Sequence, residues 1–580
     1  MGSLVTSRDI GQAALGAMRR EFSDFANFLP PYRMLSLSAG GGRRALHPLE
    51  PLPGGDAARG GALLAGRFTL GGETLGVPAG ESVWALPTPS RGFAARLHSF
   101  EWLPDLLAVR GDEPNEAALT LIDDWLSWFG RWNSFAWSPA ILARRVHIWL
   151  QILPLLESGE DRRARDARLK SLVRQTARLR RALKLLPASA DRIDAAITLT
   201  AAAISLELGP RARQAGERQL VSDLKSQILS DGGHVSRAPL TSARILAALV
   251  QLDALAHGQG LTLDTEIHRA MDRLAGAVRF FRMGPKGLAC FHGGGEGSTR
   301  LIETAMRGRE KVKPFNVAPH SGYHRAEAGG SVVILDAAGP AKGVHGVNAH
   351  ASALSFEFAP PGGRLIVNCG WNDDQPPGWR EAVRATAAHS TLTLEETSSA
   401  RLIRAGWKRN LLGERFETGP DPVRARRNEE DVGVWLESSH DGYRAQFGVG
   451  IRRRLFLAVD GGDLRGEDGI YRPVEDGPPD DPEKLLSFAI RFHLHPGVKA
   501  SLSRDSLSAL LVLPNGDGWR FRTDGGPVRL ERSVYLASGT APVRSTQLVI
   551  SGEAESYGGG ERPPNRVRWA FQRLGRVGGA

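Results

Sequence analysis

The sequence predicts a chain in two parts, an all-helical half followed by an all-β half. Three observations carry that expectation. At 580 residues the chain exceeds what one ordinary hydrophobic core organises. From about residue 97 to 282 the apolar residues recur with helical spacing, and from about residue 318 they recur at every second position. Composition is that of a globular protein, with 42% apolar and 24% charged residues.

The elements follow in order. Residues 1–60 read as an arm, one short helix and then a Gly/Pro-rich lead-in. "GRFTLGGETLGV" at 66–77 reads as a hairpin about Gly71-Gly72. "AALTLIDDWLSWFGRW", "AILARRVHIWLQILPLL" and "DAAITLTAAAISLEL" are successive helical runs, which leaves a helix bundle or an α/α toroid for residues 61–315. In "RLKSLVRQTARLRRALKLL" the stripe Leu169, Leu172, Val173, Leu179, Leu183 and Leu186 is apolar, while Lys170, Arg174, Arg178 and Arg181 form a basic, solvated face. "GGSVVILDAAG", "GRLIVNCG", "HSTLTLEE", "RRRLFLAVDGG", "LSFAIRFHLHP" and "SALLVLPNG" are strands between Gly, Pro and Asp turns, so residues 316–580 are expected to form a large antiparallel sandwich.

Several function classes recede on composition. Two cysteines, Cys290 and Cys369, cannot supply a disulfide framework or a cysteine-built zinc site. The sequence offers no apolar run of membrane-spanning length and no signal-peptide pattern at its start, so a cytoplasmic location is the expectation. "FHGGGEG" at 291–297 lacks the Lys-Ser/Thr ending of a phosphate loop. A net charge of +11 points to an acidic partner, such as nucleic acid, an anionic polysaccharide or a membrane surface. No nucleic-acid reader motif accompanies it.

One stretch raises a chemical question. In "VHGVNAHASALSFEF", Ser352, Leu354, Phe356 and Phe358 alternate as one strand face, and the same face extends back to His350 and Asn348. Three polar residues at the end of an apolar strand face suggest a site at the junction of the two halves, where ligands commonly bind. His234, in the turn "DGGHVSR" with Arg237, is expected to be exposed and to titrate near neutrality.

"NAHASALSFEF", "GRLIVNCG", "RATAAHSTL" and "SHDGYRAQFGVGIRRRLFL", in this order over roughly residues 320–500, resemble the C-terminal domain of the heparinase II/III-like polysaccharide lyases. The resemblance implies an α/α toroid followed by a β-sandwich, and cleavage of an anionic, uronic-acid-containing polysaccharide or oligosaccharide by β-elimination. It also implies a periplasmic location as the alternative to a cytoplasmic one. In that chemistry a cation or donor offsets the uronate charge, a base removes the C5 proton, and a Tyr or His protonates the departing oxygen.

Carried over residue by residue, the resemblance makes His350, His234 and Asn348 the catalytic candidates. Arg237, Ser352 and Arg384 become substrate-binding candidates, and His350, His389 and Asn368 a possible zinc set. The chain departs from the family pattern at three of these places. Asn348 stands where the family has His, Ser352 where it has Asp, and Asn368 where it has a metal-binding Asp. No tyrosine lies between residues 33 and 322, where the family's toroid Tyr would be. Two readings therefore stand, a lyase with an altered site and a catalytically inactive polysaccharide-binding protein on a lyase scaffold.

Overall fold

A computed structural model describes the chain except Met1, residues 30–45, 52–53, 285–286, 474–475, 477–483, 557–564 and 577–580. Much of the expected lead-in, with Tyr32, and also Tyr557, lies outside the described residues.

The helical half is built around Ala190–Ser205, a helix of small and β-branched residues that is buried along nearly its whole length. Its small side chains let three neighbours approach closely, Pro139–Gln151, Pro210–Gln227 and Pro239–Gly258. Gly216 shows how close, because a Cβ there would stand 2.6 Å from Thr200 Oγ1. Pro239–Gly258 is the one described helix long and apolar enough to cross a membrane, and most of its apolar residues are buried in this core. Asp, Ser and Thr residues cap several helices, as Asp264 does for Thr265–Phe280.

The β half is dominated by two stacked antiparallel sheets, beside a small three-stranded one in which Phe416–Gly419 is the central strand. The eight-stranded sheet runs in the order Val423–Glu430, Gly433–Tyr443, Val449–Ala458, Asp463–Tyr471, Arg566–Arg576, Asp517–Thr523, Ser508–Val512 and Lys499–Leu502. The facing sheet has nine strands and contains Tyr323–Ala328, Ser331–Asp336, Phe356–Ala359 and Leu485–Leu494. Alternate residues from both sheets, among them Phe356, Phe492, Trp519 and Trp569, fill the space between them.

Three sequence expectations need correction. First, residues 348–355 are not strand. Ser355 N–H donates to Ser352 O at 2.9 Å, Leu354 adopts a left-handed φ of 63°, and the strand begins only at Phe356. The alternation was real, but a turn interrupts it. Second, Arg178 is not on a solvated face. It is buried beneath the N-terminal helix Ser7–Phe28, where it donates to Asn27 Oδ1 at 3.2 Å. Third, the N-terminal segment is no detached arm, because Gly2–Ser3 pairs with Phe416–Gly419 of the β half. The Ser7–Phe28 helix turns Leu15, Met18, Phe22 and Phe25 outward.

The halves are tied together by charge and backbone contacts. Asp374 receives Arg59 at 3.3 Å and Arg96 at 3.0 Å from the helical side. Arg325 reaches back to Phe280 O at 2.7 Å, and Asp231 Oδ2 accepts the Ser321 N–H at 2.7 Å.

Candidate functional site

A cleft of about 820 Å³ lies between the two halves. Its walls come from the Ala190–Ser205 and Pro239–Gly258 helices, the Gly293–Gly297 loop, the 344–348 segment and the 371–374 segment. Gly293 takes a φ of 75°, and a Cβ there would come within 2.9 Å of the Asn348 Cβ, so a glycine lets these two segments meet.

Of the family-position residues, Asn348 is exposed and faces this cleft. Its Oδ1 accepts from Arg380 Nη2 at 2.8 Å. His350 and Ser352 stand behind it, buried. The structure thus separates three residues that the alternation put on one face, because the chain turns between them.

His350 and His389 meet. His389 Nδ1 donates to Ala385 O at 2.8 Å, which leaves its Nε2 as a bare acceptor. His350 Nδ1 donates to that nitrogen at 3.0 Å. Burial holds the His389 ring down to about 4, and burial together with His389, His292 and Arg384 holds His350 well below the ordinary histidine range. Both rings are neutral at physiological pH.

Behind them sits a network that the sequence reading passed over. Asp336, at the end of the Ser331–Asp336 strand, is fully buried. Its carboxylate accepts from Ser352 Oγ at 2.6 Å, faces His292 Nε2 at 3.2 Å and pairs with Arg237. Burial would raise this carboxyl, but Arg237 and His292 outweigh it and bring it to about 2. His292 Nδ1 in turn takes the backbone N–H of His350 at 3.2 Å. The legible signals were an acid closing the apolar run "SVVILD" and a His beside the glycines of "FHGGGEG".

Arg237 and Arg384 are both buried struts. Arg237 gives its guanidinium to Ser321 O at 2.7 Å, Gly322 O at 3.1 Å, Gly339 O and Asp336. Arg384 spans Ala349 O at 2.8 Å and Glu414 O at 2.9 Å, and so holds the 346–351 segment in place. Neither lines the cleft.

His234 does line the cleft, but the expectation of an exposed, titrating ring is overturned. Ser236 N–H donates to its Nδ1 at 3.1 Å, so the ring proton is on Nε2 and goes to Gln227 Oε1 at 3.2 Å. Burial, with a smaller contribution from His345, holds it down to about 3.

The zinc donor set does not fit a metal. The lone pair of His389 already takes the His350 proton. Asn368 Oδ1 accepts Ser390 N–H at 3.0 Å, while its amide nitrogen faces Cys290 O at 3.4 Å. Three donors that point at other partners do not converge on one ion. Among the described residues no group of three or more His, Cys, Asp or Glu side chains could hold a metal.

The cleft lining holds more acidic side chains than arginines. It carries four arginines (Arg59, Arg96, Arg144 and Arg244) against six carboxylates (Glu101, Asp191, Asp194, Glu296, Asp373 and Asp374). The first three arginines are already paired with carboxylates, as Arg144 is with Glu101 at 2.9 Å and Asp191 at 3.2 Å.

Comparison with known proteins accords with this architecture. The heparinase II/III-like, C-terminal family matches residues 310–570. The "FtsZ-localized protein C" of Caulobacter vibrioides (strain NA1000 / CB15N) is 35% identical over 528 residues, covering 90% of this chain and 89% of that protein. Among solved structures, heparinase III superposes with a TM-score of 0.69 at 13% identity, over 100% of this chain and 93% of the other. Heparan sulfate lyase HepC from Pedobacter heparinus gives 0.54 at 14% identity, over 98% and 88%. Identities this low establish a shared fold. With a helical half, a two-sheet β half and this match across residues 310–570, the chain belongs to the heparinase II/III-like family.

Proposed function

We propose that this chain keeps the heparinase II/III-like lyase scaffold without its chemistry, and works as a binding protein at the FtsZ assembly. The observation that carries this reading is the state of the histidines. His234, His292, His350 and His389 are buried, neutral and committed to internal partners. A β-elimination needs a base and an acid that reach substrate, and a group that neutralises a carboxylate. The cleft presents the amide of Asn348 and a half-buried His345, whose ring is held below the ordinary histidine range by burial and the nearby Arg415 and Arg192, among walls richer in carboxylates than in arginines. The relative of 35% identity over nine-tenths of this chain is an FtsZ-localized protein, which supports a place beside FtsZ and hence in the cytoplasm.

The test is co-sedimentation. Full-length protein mixed with polymerising FtsZ from the same organism is expected in the pellet with the polymers, and in the supernatant without nucleotide. Retention in the supernatant under both conditions overturns the placement at FtsZ.

A second reading has one observation in its favour. Arg380 and Asn348 form a polar pair at the cleft, 2.8 Å apart, and such a pair can hydrogen-bond a uronate carboxylate. Under that reading the chain is a polysaccharide lyase. Wild-type protein would then release unsaturated product from a uronic-acid polymer, and Arg380→Ala would abolish it.

A further inference from the structure

Arg415 stands apart from the other buried arginines. Each of the others donates to at least one oxygen of the protein, as Arg145 does to Gln175 at 2.7 Å and Arg453 to Asp468 at 2.7 Å. Arg415 is 6% exposed, its Nε and Nη1 are buried without a partner, and among the described residues its side chain makes no hydrogen bond or ion pair. A guanidinium taken out of water with no acceptor in exchange is costly, and a buried charge is ordinarily paired.

The backbone fixes where this charge sits. Arg415 N–H donates to Gly413 O at 3.0 Å, and Arg415 O accepts from Ile403 N–H at 2.9 Å. The side chain lies beside the Gly343–Gly346 turn, since a Cβ on Gly346 would stand 3.9 Å from the Arg415 Cβ. The same Cβ would come within 2.4 Å of Ala341 O, so only glycine lets the turn sit this close. His345, in that turn, lines the cleft, and its Nδ1 is also buried without a partner. The charge of Arg415 acts on this ring and, after burial itself, does most to hold it below the ordinary histidine range. The carboxylate that acts on Arg415 is Asp9, which forms no ion pair with it and whose Oδ2 already accepts from Thr6 N–H at 2.7 Å and Thr6 Oγ1 at 2.6 Å. Arg192, the other cation acting on the ring, is paired with Asp223 at 2.8 Å.

We propose that Arg415 and His345 hold a small oxyanion beside this turn, either a free phosphate or the terminal phosphate or carboxylate group of a ligand in the cleft. The unpartnered atoms decide the class. Arg415 Nε and Nη1 carry only N–H donors, and His345 Nδ1 donates in the tautomer that leaves Nε2 bare. Donors around a fixed positive charge reject amines and metal ions and take an oxygen-bearing anion. The ion would balance the guanidinium and anchor the turn that leads to Asn348, so it would set one wall of the cleft. The inference goes beyond the placement at FtsZ and does not depend on it.

Isothermal titration calorimetry of the full-length chain with sodium phosphate tests it, in Tris buffer at constant ionic strength. Arg415→Met should weaken phosphate binding about tenfold or more, because charge-assisted hydrogen bonds are lost. His345→Phe should weaken it several-fold, through loss of one donor. Amide hydrogen exchange across residues 343–348 should slow with phosphate in wild type and stay unchanged in Arg415→Met. Phenyl phosphate and benzoate separate the sources. Tighter binding of either than of phosphate, weakened by the same variants, assigns the site to the end group of a cleft ligand, and tightest binding of phosphate assigns it to the free ion. Should Arg415→Met fail to fold, His345→Phe and the wild-type exchange decide. No binding of any of these probes, an equal Kd in wild type and variants, or exchange at 343–348 that the bound probe leaves unchanged overturns the proposal.

Discussion

Replacing Asp336 by Asn tests whether the buried polar cluster is a structural strut or catalytic equipment. The substitution keeps shape and removes one negative charge from a site with no solvent exposure. Arg237 then keeps its carbonyl partners, Ser321, Gly322 and Gly339, but loses its counter-charge. Breaking one side of a buried pair typically costs about 3–5 kcal/mol, and Asn retains one acceptor, so the lower end applies, ~3 kcal/mol. For a domain of this size each kcal/mol moves the melting temperature by roughly 2–4 °C, so a fall of about 6–12 °C is expected. Differential scanning calorimetry of full-length protein is the assay, with attention to whether the halves unfold together. The double variant Arg237→Met/Asp336→Leu should lose less than the single substitutions combined, because it leaves no uncompensated charge. A fall of under about 2 °C for Asp336→Asn would refute the strut, since the guanidinium would then be finding water that the structure denies it.

Acid should destabilise the fold early. His234 is held down to about 3 and His389 to about 4, so the unfolded chain binds protons first, and stability is lost as pH falls from about 6.5 toward those values. Each contributes roughly 1–2 kcal/mol by pH 5, and a melting temperature flat between pH 7 and 5 contradicts this. His350→Ala should cost about 2–4 kcal/mol, because it empties a buried site and strands the His389 acceptor; chemical denaturation measures it, and a cost under ~0.5 kcal/mol contradicts the burial. Elemental analysis of protein purified with zinc in the buffer should find substoichiometric metal, whereas one tightly held zinc per chain would mean that the His350–His389 pair opens.

Much of the architecture was legible in the sequence because periodicity reports directly on local structure. The change from helical spacing to alternation near residue 318 marks the passage from the toroid-like half to the sandwich. The site was less legible, because its character is set by tertiary contacts. The "DGGHVSR" turn looks exposed in one dimension, yet Gln227 and Ser236 enclose the His234 ring while Asp231 ties the turn to Ser321 of the β half. Likewise Ser352 and Leu354 keep a strand's alternation while the backbone turns at Leu354. His350 beside His389 was within reach of sequence reasoning, whereas the Asp336–His292–Arg237 cluster joins three segments with no shared motif.

The central claim is that a lyase scaffold survives here without lyase chemistry. The direct measurement is ultraviolet absorbance of unsaturated uronate product, with purified full-length protein and a broad panel of uronic-acid polysaccharides. The account predicts no product above the buffer baseline at any pH from 5 to 9, for wild type and for Asn348→Ala alike. Product from wild-type protein that disappears in both Asn348→Ala and Arg380→Ala would contradict it.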